Sequence, residues 1–467
     1  MDKVKHRAEL AFAGFIDYFL IVVCFAICWY LYYSKIIINP FFRKGNYVVI
    51  FLYALFVIII SRVYNSTQIS LSRISEMIYN QALSIAASDA LIYIVICILK
   101  RGFANLLPGL LCFVIQVILA ALWCLLANWW YFSKFPPKKT IVIFDNHEGL
   151  EDLISEYGLS NKFDVQKTVQ VDDCLADLSI LDDFETAFLS DIHSKDRNKI
   201  MKRAVENDMD IYIIPRLGDI ILSGAKDMHM FHRPMLRLRR YNPHIEYLFF
   251  KRLFDIVISG LALIIMSPFM LITAIVIKAY DGGPAFYKQV RLTKDGKEFE
   301  ILKFRSMRVD AEKYTGAILS AGDDDPRITP VGRIIRKIRF DELPQLINII
   351  KGDMSIVGPR PERPEIAAEY EKTLPEFKLR LQTKAGLTGY AQVYGKYNTS
   401  PYNKLQMDLM YIAHPSFLED LRICLTTVKI LFLKESTEGV ALKTSNSVDN
   451  EITLNVQQLG NSGETAR

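Results

Sequence analysis

The chain reads as a membrane protein of mixed α and α/β class. The expected parts are a four-helix transmembrane bundle, a small Rossmann-like α/β domain, and a third domain entered through a re-entrant helix. Three observations predict this. Residues 1–135 carry four apolar stretches near spanning length, residues 136–246 alternate strand-like and helix-like segments, and an apolar run at 253–277 has a proline near its middle. The domains expected are therefore 1–135, 136–246 and 247–436. The polar tail at 437–467, rich in Ser, Asn, Gly, Glu and Thr, is expected to be disordered. Apolar residues make up 51% of the 467, high for a soluble protein, and the length leaves room for two or three domains.

The four apolar stretches run over about Ala11–Tyr33, Val48–Ile60, Ala82–Leu99 and Leu106–Phe132. Each is close to the ~20 residues that cross a hydrocarbon core, the second if Tyr47 and Tyr64 mark its interfaces. The first is too long for a cleavable signal and lacks a small-residue site. In a four-pass arrangement Lys3, Lys5, Arg7, Arg62, Arg73, Lys134, Lys138 and Lys139 fall on one side. Lys35, Arg43, Lys44, Lys100 and Arg101 fall on the other. The more basic side is expected to be cytoplasmic. No buried acid pair that would suggest a carrier stands out within the spans.

Composition narrows the function. The net charge of +5 is modest, and no basic stripe or zinc spacing supports nucleic-acid binding. Five of the seven cysteines (Cys24, Cys28, Cys97, Cys112, Cys124) lie in apolar runs, and Cys174 and Cys424 stand alone, so they read as small buried hydrophobes. His414, beside Pro415, reads as structural.

Pro136-Pro137 with Lys138-Lys139 makes a linker. Beyond it Thr140–Phe144, Phe163–Val171, Glu185–Ser190 and Ile211–Ile214 read as strands, and Leu150–Tyr157 and Asp196–Asn207 as helices. That alternation predicts a small, mostly parallel sheet. A dinucleotide site needs glycines in the first strand-to-helix turn. Here the turn is Asp145-Asn146-His147-Glu148-Gly149, with one glycine and two acids that would repel a pyrophosphate. The domain is expected to bind no dinucleotide and to serve regulation or assembly.

Leu253–Ile277 is long enough to span, but Ser267-Pro268 sits at its middle. Proline removes the hydrogen bond to the carbonyl of Ile264 and is expected to kink the helix. Ser267 is placed to cover that carbonyl, and Lys251, Arg252 and Lys278 are expected to anchor the ends in headgroups.

The last third carries the chemistry. Phe340-Asp341-Glu342-Leu343-Pro344-Gln345 puts two carboxylates just ahead of a proline and an apolar helical run, hence at or before a helix N-terminus, where free N–H groups favour anions. Arg333, Arg336, Lys337 and Arg339 precede the pair and Arg360 follows it. An Asp-Glu pair there can be a plain cap, with the bases a solvated face. Three further runs argue for more: Asp325-Pro326-Arg327-Ile328-Thr329, Gly358-Pro359-Arg360-Pro361 and Gly386-Leu387-Thr388-Gly389-Tyr390-Ala391-Gln392. Glycines at such points allow unusual backbone or close approach.

From about Phe249 to Leu433 the chain resembles the bacterial sugar transferase family, the monotopic phosphoglycosyl transferases. The resemblance rests on Lys251-Arg252-Leu253-Phe254-Asp255, Gly283-Pro284-Ala285-Phe286-Tyr287-Lys288-Gln289, Lys303-Phe304-Arg305-Ser306-Met307 and the Asp-Glu and Gly-Pro-Arg-Pro runs. It covers roughly two fifths of the chain, and the whole layout resembles the long-form members that act on undecaprenyl phosphate. The resemblance implies transfer of a sugar 1-phosphate from a nucleotide sugar, expected to carry UDP, to undecaprenyl phosphate, with release of UMP. That is a priming step of exopolysaccharide, capsule or O-antigen synthesis. It implies Asp341 as covalent nucleophile and Glu342 as holder of Mg2+. Arg360, Arg336, Lys303 and Arg305 are expected to bind substrate phosphate. Gly386, Thr388, Gly389 and Gln392 are expected to line the nucleotide or sugar pocket. A catalytic domain meeting cytoplasmic sugar nucleotides after an even number of passes requires 253–277 to enter and return on one face, with Ser267-Pro268 as the break. The location implied is the bacterial inner membrane, with the catalytic domain facing the cytoplasm.

The sequence departs from the family at Arg339, where a small hydroxyl residue is common, at Ala385 (proline), Tyr390 (tryptophan) and Tyr394 (asparagine). These leave the sugar open. Two rival classes are a dehydratase or dehydrogenase, which lacks its glycine-rich turn here, and a non-catalytic membrane scaffold, which would not need Asp341, Glu342, Arg360 and the glycine run together. The accessory domain's strand edges are compatible with a homodimer.

Overall fold

The computed structural model describes residues 2–42, 44–145, 150–241, 243–309, 311, 325, 327–395 and 399–431. The turn at 146–149 and the tail at 437–467 lie outside the described residues. The chain divides into two compact units, Met1–Arg216 and Leu217–Arg467.

The first unit opens with four long apolar helices. Helix α1 (Asp2–Cys28) runs through a π-helical turn at Trp29–Tyr33 into α2 (Ser34–Ile36). Then come α3 (Lys44–Val63), α4 (Ile74–Lys100) and α5 (Leu107–Lys134). Each is long and apolar enough to cross a membrane. Residues at helical spacing bury one stripe per helix: Ile21, Phe25 and Trp29 from α1 and its π turn, Val49, Tyr53 and Val57 from α3, Ile85, Ile92 and Ile96 from α4. The Phe25 and Tyr53 rings stack at 4.0 Å. The same helices bury acids that the sequence reading passed over. Asp17 is 1% exposed on α1, and Asp89 on α4 is half-buried. They lie on different helices and each bonds an amide or phenol, so pairing of charges in the sequence gave no signal.

Beyond the helices β1 (Lys138–Phe144), α6 (Leu150–Glu156), β2 (Phe163–Gln170), α7 (Val171–Ala176), β3 (Thr186–Ser190), α8 (Ser194–Glu206) and β4 (Asp210–Ile213) alternate. The strands form one parallel sheet in the order β2-β1-β3-β4. Ile141, Ile143, Ala187, Leu189 and Ile200 form its core under α8. A sheet with helical crossovers buries its inner strands on both faces, which is why β1 reads as a continuous apolar run.

The second unit begins at α9 (Leu217–Ser223) and the antiparallel hairpin of β5 (Lys226–Met230) and β6 (Arg233–Arg237), ahead of the boundary read from the sequence. Helix α9 belongs here because Ile220 enters this unit's core and Ser223 Oγ lies 3.1 Å from His414 Nε2. Helix α10 (Ile245–Asp281) follows, then the antiparallel pair β7 (Phe286–Leu292) and β8 (Glu298–Phe304). Next are α11 (Pro330–Lys337), α12 (Gln345–Lys351), β9 (Met354–Val357), α13 (Pro364–Thr373), β10 (Ala385–Thr388), α14 (Tyr390–Tyr394), α15 (Pro401–Ala413) and α16 (Phe417–Leu431). Strands β9 and β10 pair in parallel, and Leu346, Ile349, Ile356, Phe377, Leu405 and Leu409 pack around them.

Helix α10 is continuous across Pro268. Ser267 Oγ donates to the Ile264 carbonyl at 2.9 Å, the acceptor that proline leaves without an N–H partner, so the helix runs on past the proline with that carbonyl satisfied. The helix is pinned at its N-terminal half. Asp255 accepts from Ile356 N at 2.9 Å and from Ser355 Oγ at 3.1 Å, and Lys251 Nζ meets Asp420 Oδ2 at 2.9 Å. Arg252 donates to the Ile349 and Ile350 carbonyls, both at 2.7 Å, covering the open C-terminal end of α12. Lys251 and Arg252 therefore serve the protein interior instead of headgroups. Most of the remaining helix is apolar and uncovered, with Ile264 72% exposed and Leu271 63%. A surface of that size points to lipid contact.

Candidate functional site

The Asp-Glu pair sits in a single 3-10 turn, Phe340–Glu342, that runs through Leu343 and Pro344 into α12. Three local features fix this turn. Thr329 Oγ1 accepts from Gly332 N at 2.9 Å and starts α11, with Pro330 in its first position. Arg339 then takes a left-handed conformation (φ +52°), reversing the chain after α11. Phe340 stacks on Phe304, itself 1% exposed, so the turn is anchored to the end of β8. Asn348 ties α12 to the same strand: its Oδ1 accepts from Leu302 N at 3.0 Å and its Nδ2 donates to Glu300 O at 2.8 Å.

This places Lys303 Nζ 3.3 Å and Arg360 Nη2 3.1 Å from Glu342 Oε1, with Arg339 Nη1 4.0 Å from Oε2. Burial pushes the Glu342 carboxyl up, but Arg360, Lys303 and Arg339 outweigh it and hold it well below the usual carboxylate range. Asp341 goes the other way. Burial first and the Glu342 charge second push it up to about 6, against the pull of Lys303 and Arg336. Among the described residues no ion pair to Asp341 is formed. The turn thus holds one carboxylate clamped in its ionised form beside one that is half-buried and unclamped, an arrangement that separates the roles of two like groups.

Arg360 arrives from β9 through Gly358 and Pro359, and the glycine run braces that passage. Gly358 N donates to Thr388 O and Gly386 N to Pro359 O, each at 2.9 Å. A Cβ on Gly386 would lie 2.2 Å from Gly358 N, and one on Gly389 2.1 Å from Gly358 O. Gly386 and Gly389 therefore permit backbone to lie on backbone. Thr388 Oγ1 bonds Thr427 Oγ1 at 2.6 Å, and Gln392 Nε2 donates to Leu387 O at 3.2 Å. Gly386, Thr388 and Gly389 thus brace the Gly358-Pro359 backbone that leads into Arg360, and Gln392 braces Leu387 beside them. Arg305 is placed elsewhere. The strand ends at Phe304, and the Arg305 guanidinium pairs with Asp281 at the end of α10, over Gly283.

Three residues that sequence reasoning missed complete the support. Arg380, 3% exposed, bonds Asp408 at 2.8 Å and donates to the Arg360 carbonyl at 2.9 Å. Arg291 donates to Pro361 O at 3.0 Å, and burial lowers its guanidinium to about 10. The available signal was a lone charge inside an apolar stretch: Arg380 between Leu379 and Leu381, and Asp408 between Leu405 and Leu409.

Among the described residues no three His, Cys, Asp or Glu side chains converge as a metal site. Glu342 is an ionised carboxylate whose Oε2 has, among the described residues, only the longer Arg339 contact. Its donor chemistry fits a hard cation that takes its other oxygens from a bound phosphate.

Residues 246–434 match the family model described as bacterial sugar transferase. The chain is 33% identical, over 50% of its length and 55% of the relative's, to a UDP-N-acetylgalactosamine-undecaprenyl-phosphate N-acetylgalactosaminephosphotransferase of Aeromonas hydrophila. It is 38% identical, over 40% of its length and 41% of the relative's, to a UDP-glucose:undecaprenyl-phosphate glucose-1-phosphate transferase of Klebsiella pneumoniae. The chain thus spans about half the length of these long relatives. It is also 41% identical, over 39% of its length, to the uncharacterized sugar transferase EpsL of Bacillus subtilis, and there the match covers 87% of the relative. With that coverage, and with the matched residues enclosing the Asp341–Glu342 turn, the chain belongs to the bacterial sugar transferase family.

Proposed function

We propose that the protein transfers a sugar 1-phosphate from a UDP-sugar to undecaprenyl phosphate and releases UMP. The observation that carries this reading is the unequal pair: Asp341, unclamped, beside Glu342, gripped by Lys303 and Arg360. A carboxylate oxygen of Asp341 attacks the phosphorus that bears the sugar, and the bond from that phosphorus to the UMP oxygen breaks. The oxygen of undecaprenyl phosphate then attacks the same phosphorus. Its bond to Asp341 breaks, and the carboxylate is regenerated. Arg360, Lys303 and Arg336 offset charge that builds on the phosphoryl oxygens, from positions fixed before substrate arrives. Arg305 acts by holding the end of α10 in place. Glu342 would hold Mg2+ together with the substrate pyrophosphate. When bound, that ion neutralises phosphate charge and favours departure of UMP. Gly386 and Gly389 act through Arg360's backbone, with Thr388 and Gln392 beside them.

The wider reading follows from the same assignment. Residues 247–436 are the catalytic domain, and 136–246 an accessory module for regulation or assembly, compatible with a homodimer. The four N-terminal helices cross the bacterial inner membrane, with the basic side in the cytoplasm. The apolar part of α10 enters from the cytoplasmic face and returns to it, bending at Ser267-Pro268 where a side chain already covers the freed carbonyl. The product would prime exopolysaccharide, capsule or O-antigen synthesis. Curated relatives bear names for N-acetylgalactosamine and glucose phosphate transfer, which leaves the sugar to experiment. Incubation with a panel of UDP-sugars, Mg2+ and undecaprenyl phosphate should release UMP with one sugar. No release with any member, and full polysaccharide output from a strain carrying Asp341→Asn, would instead favour a scaffold.

A further inference from the structure

The N-terminal helices enclose a polar column. At one level Gln81 Nε2 on α4 donates to Asp17 Oδ2 on α1 at 2.6 Å. Next along α4, Ser84 Oγ meets Ser61 Oγ of α3 at 2.8 Å, and Ser88 Oγ donates to the Ser84 carbonyl. Further on, Gln116 Nε2 of α5 donates to Ile21 O and to Tyr53 Oη, and Tyr53 donates to Asp89 Oδ1 at 2.7 Å. From Gln81 to Asp89 the column rises roughly 12 Å at the α-helical rise per residue.

The bonding in this column does not close. Asp17 Oδ1, Asn80 Oδ1, Gln81 Oε1, Asp89 Oδ2 and Gln116 Oε1 are buried and accept no hydrogen bond among the described residues. All five are acceptors. Asp17, Gln81 and Gln116 are at most 1% exposed. No Lys, Arg or His among the described residues forms an ion pair with Asp17 or Asp89. Tyr18 on α1 and Cys124 on α5 lie within electrostatic range of Asp17, and Arg62 of α3 within range of Tyr18. Tyr53 on α3 bonds Asp89, and Cys24 and Cys28 on α1 lie within electrostatic range of Asp89, as Cys112 of α5 does of Tyr53. An uncompensated carboxylate inside a membrane bundle costs several kcal/mol, and an unfilled amide oxygen adds roughly 1–3 more. An excess of oxygen acceptors around carboxylates is the environment of a bound positive charge.

We propose that this column binds small monovalent cations, a proton or a desolvated alkali ion, which neutralise Asp17 and Asp89 and lock α1 against α3, α4 and α5. The unfilled acceptors are all oxygens, with one carboxylate at each level, which suits a hard, singly charged ion, and no converging acid trio among the described residues offers a divalent site.

The test uses the full chain in phosphatidylethanolamine–phosphatidylglycerol nanodiscs. All four tryptophans (Trp29, Trp123, Trp129, Trp130) lie in these helices, so their fluorescence follows melting of this bundle. Melting is recorded in NaCl, LiCl and choline chloride at equal ionic strength, at mildly acidic and mildly alkaline pH. The proposal expects the lowest midpoint in choline at alkaline pH. Na+ or Li+ raises it by several degrees if the ligand is an alkali ion, and acidification alone raises it if the ligand is a proton. Asp17→Asn with Asp89→Asn should abolish the dependence and melt at least as high as the native chain in alkaline choline. An unmodified chain whose midpoint ignores both cation and pH overturns the proposal, even if the double variant fails to insert. Undiminished dependence in the double variant overturns it as well.

Discussion

Replacing Asp341 by Asn should remove activity and add stability, and the second effect depends on pH in a way the site dictates. Burial and the neighbouring Glu342 charge raise the Asp341 carboxyl from its ordinary 3.8 to about 6 in the folded chain. The folded value lies above the unfolded one, so the folded state holds the proton more tightly. Stability is then lost as pH rises from about 3.8 to 6, and the full cost is present above that window. At about 1.4 kcal/mol per pH unit the shift corresponds to roughly 3 kcal/mol, and partial exposure to water reduces this to roughly 1–2. Asn cannot ionise, so Asp341→Asn should match the native chain near about pH 4 and exceed it near about pH 8 by a few degrees in melting temperature. Cys424 is the one cysteine in the sequence after residue 217 and is partly buried. Its thiol labelling during a temperature ramp, read by peptide mass spectrometry, reports melting of this unit. A gap that is equal at both pH values, or a variant less stable at the higher one, would refute the account of Asp341.

Turnover by the native chain should fall with acidification through about 6, as Asp341 takes up its proton; a rate flat across that range would contradict an ionised nucleophile. Gly389→Ala places a Cβ 2.1 Å from the Gly358 carbonyl, so turnover should drop on the order of a hundredfold as Arg360 shifts, while Gly218→Ala, where a Cβ meets nothing within 4 Å, serves as a control for glycine loss alone. Asp408→Leu leaves buried Arg380 with only its longer pair to Glu362 at 3.5 Å, and urea unfolding should show a loss of roughly 2–3 kcal/mol. Ser267-Pro268→Ala-Leu should straighten α10 and move some molecules to a spanning topology with loss of turnover. Cysteine labelling near residues 245 and 290 from each side of sealed vesicles checks this, and opposite-side labelling in the unmodified segment rules the re-entrant arrangement out.

Much of the fold was legible because period and length are local properties. The four N-terminal helices, the strands at 138–144, 163–170, 186–190 and 210–213, and helix α8 follow from apolar runs and their spacing. What was not legible depended on partners distant in sequence. Arg305 reads like Lys303, two residues before it, yet the strand stops at Phe304 and Asp281 captures the guanidinium. Lys251 and Arg252 read as headgroup anchors because helix ends near a membrane usually carry them. Their actual partners, Asp420 and the carbonyls of Ile349 and Ile350, come from elements about a hundred residues or more further on. The glycines of the 386–389 run announced close approach, but not that the approaching group is the backbone of Gly358. Pro268 announced a missing hydrogen bond, and Ser267 supplied its replacement.

The most direct test of the central claim is to trap the first half-reaction. The full chain is mixed with a labelled UDP-sugar and Mg2+ without lipid acceptor, quenched in acid, digested and examined by mass spectrometry. The account predicts one equivalent of UMP released and a sugar-phosphate adduct on the peptide containing Asp341. That adduct should be discharged by undecaprenyl phosphate and absent from Asp341→Asn. UMP release that requires the lipid acceptor with no adduct on the enzyme, or an adduct that persists in Asp341→Asn, would contradict it.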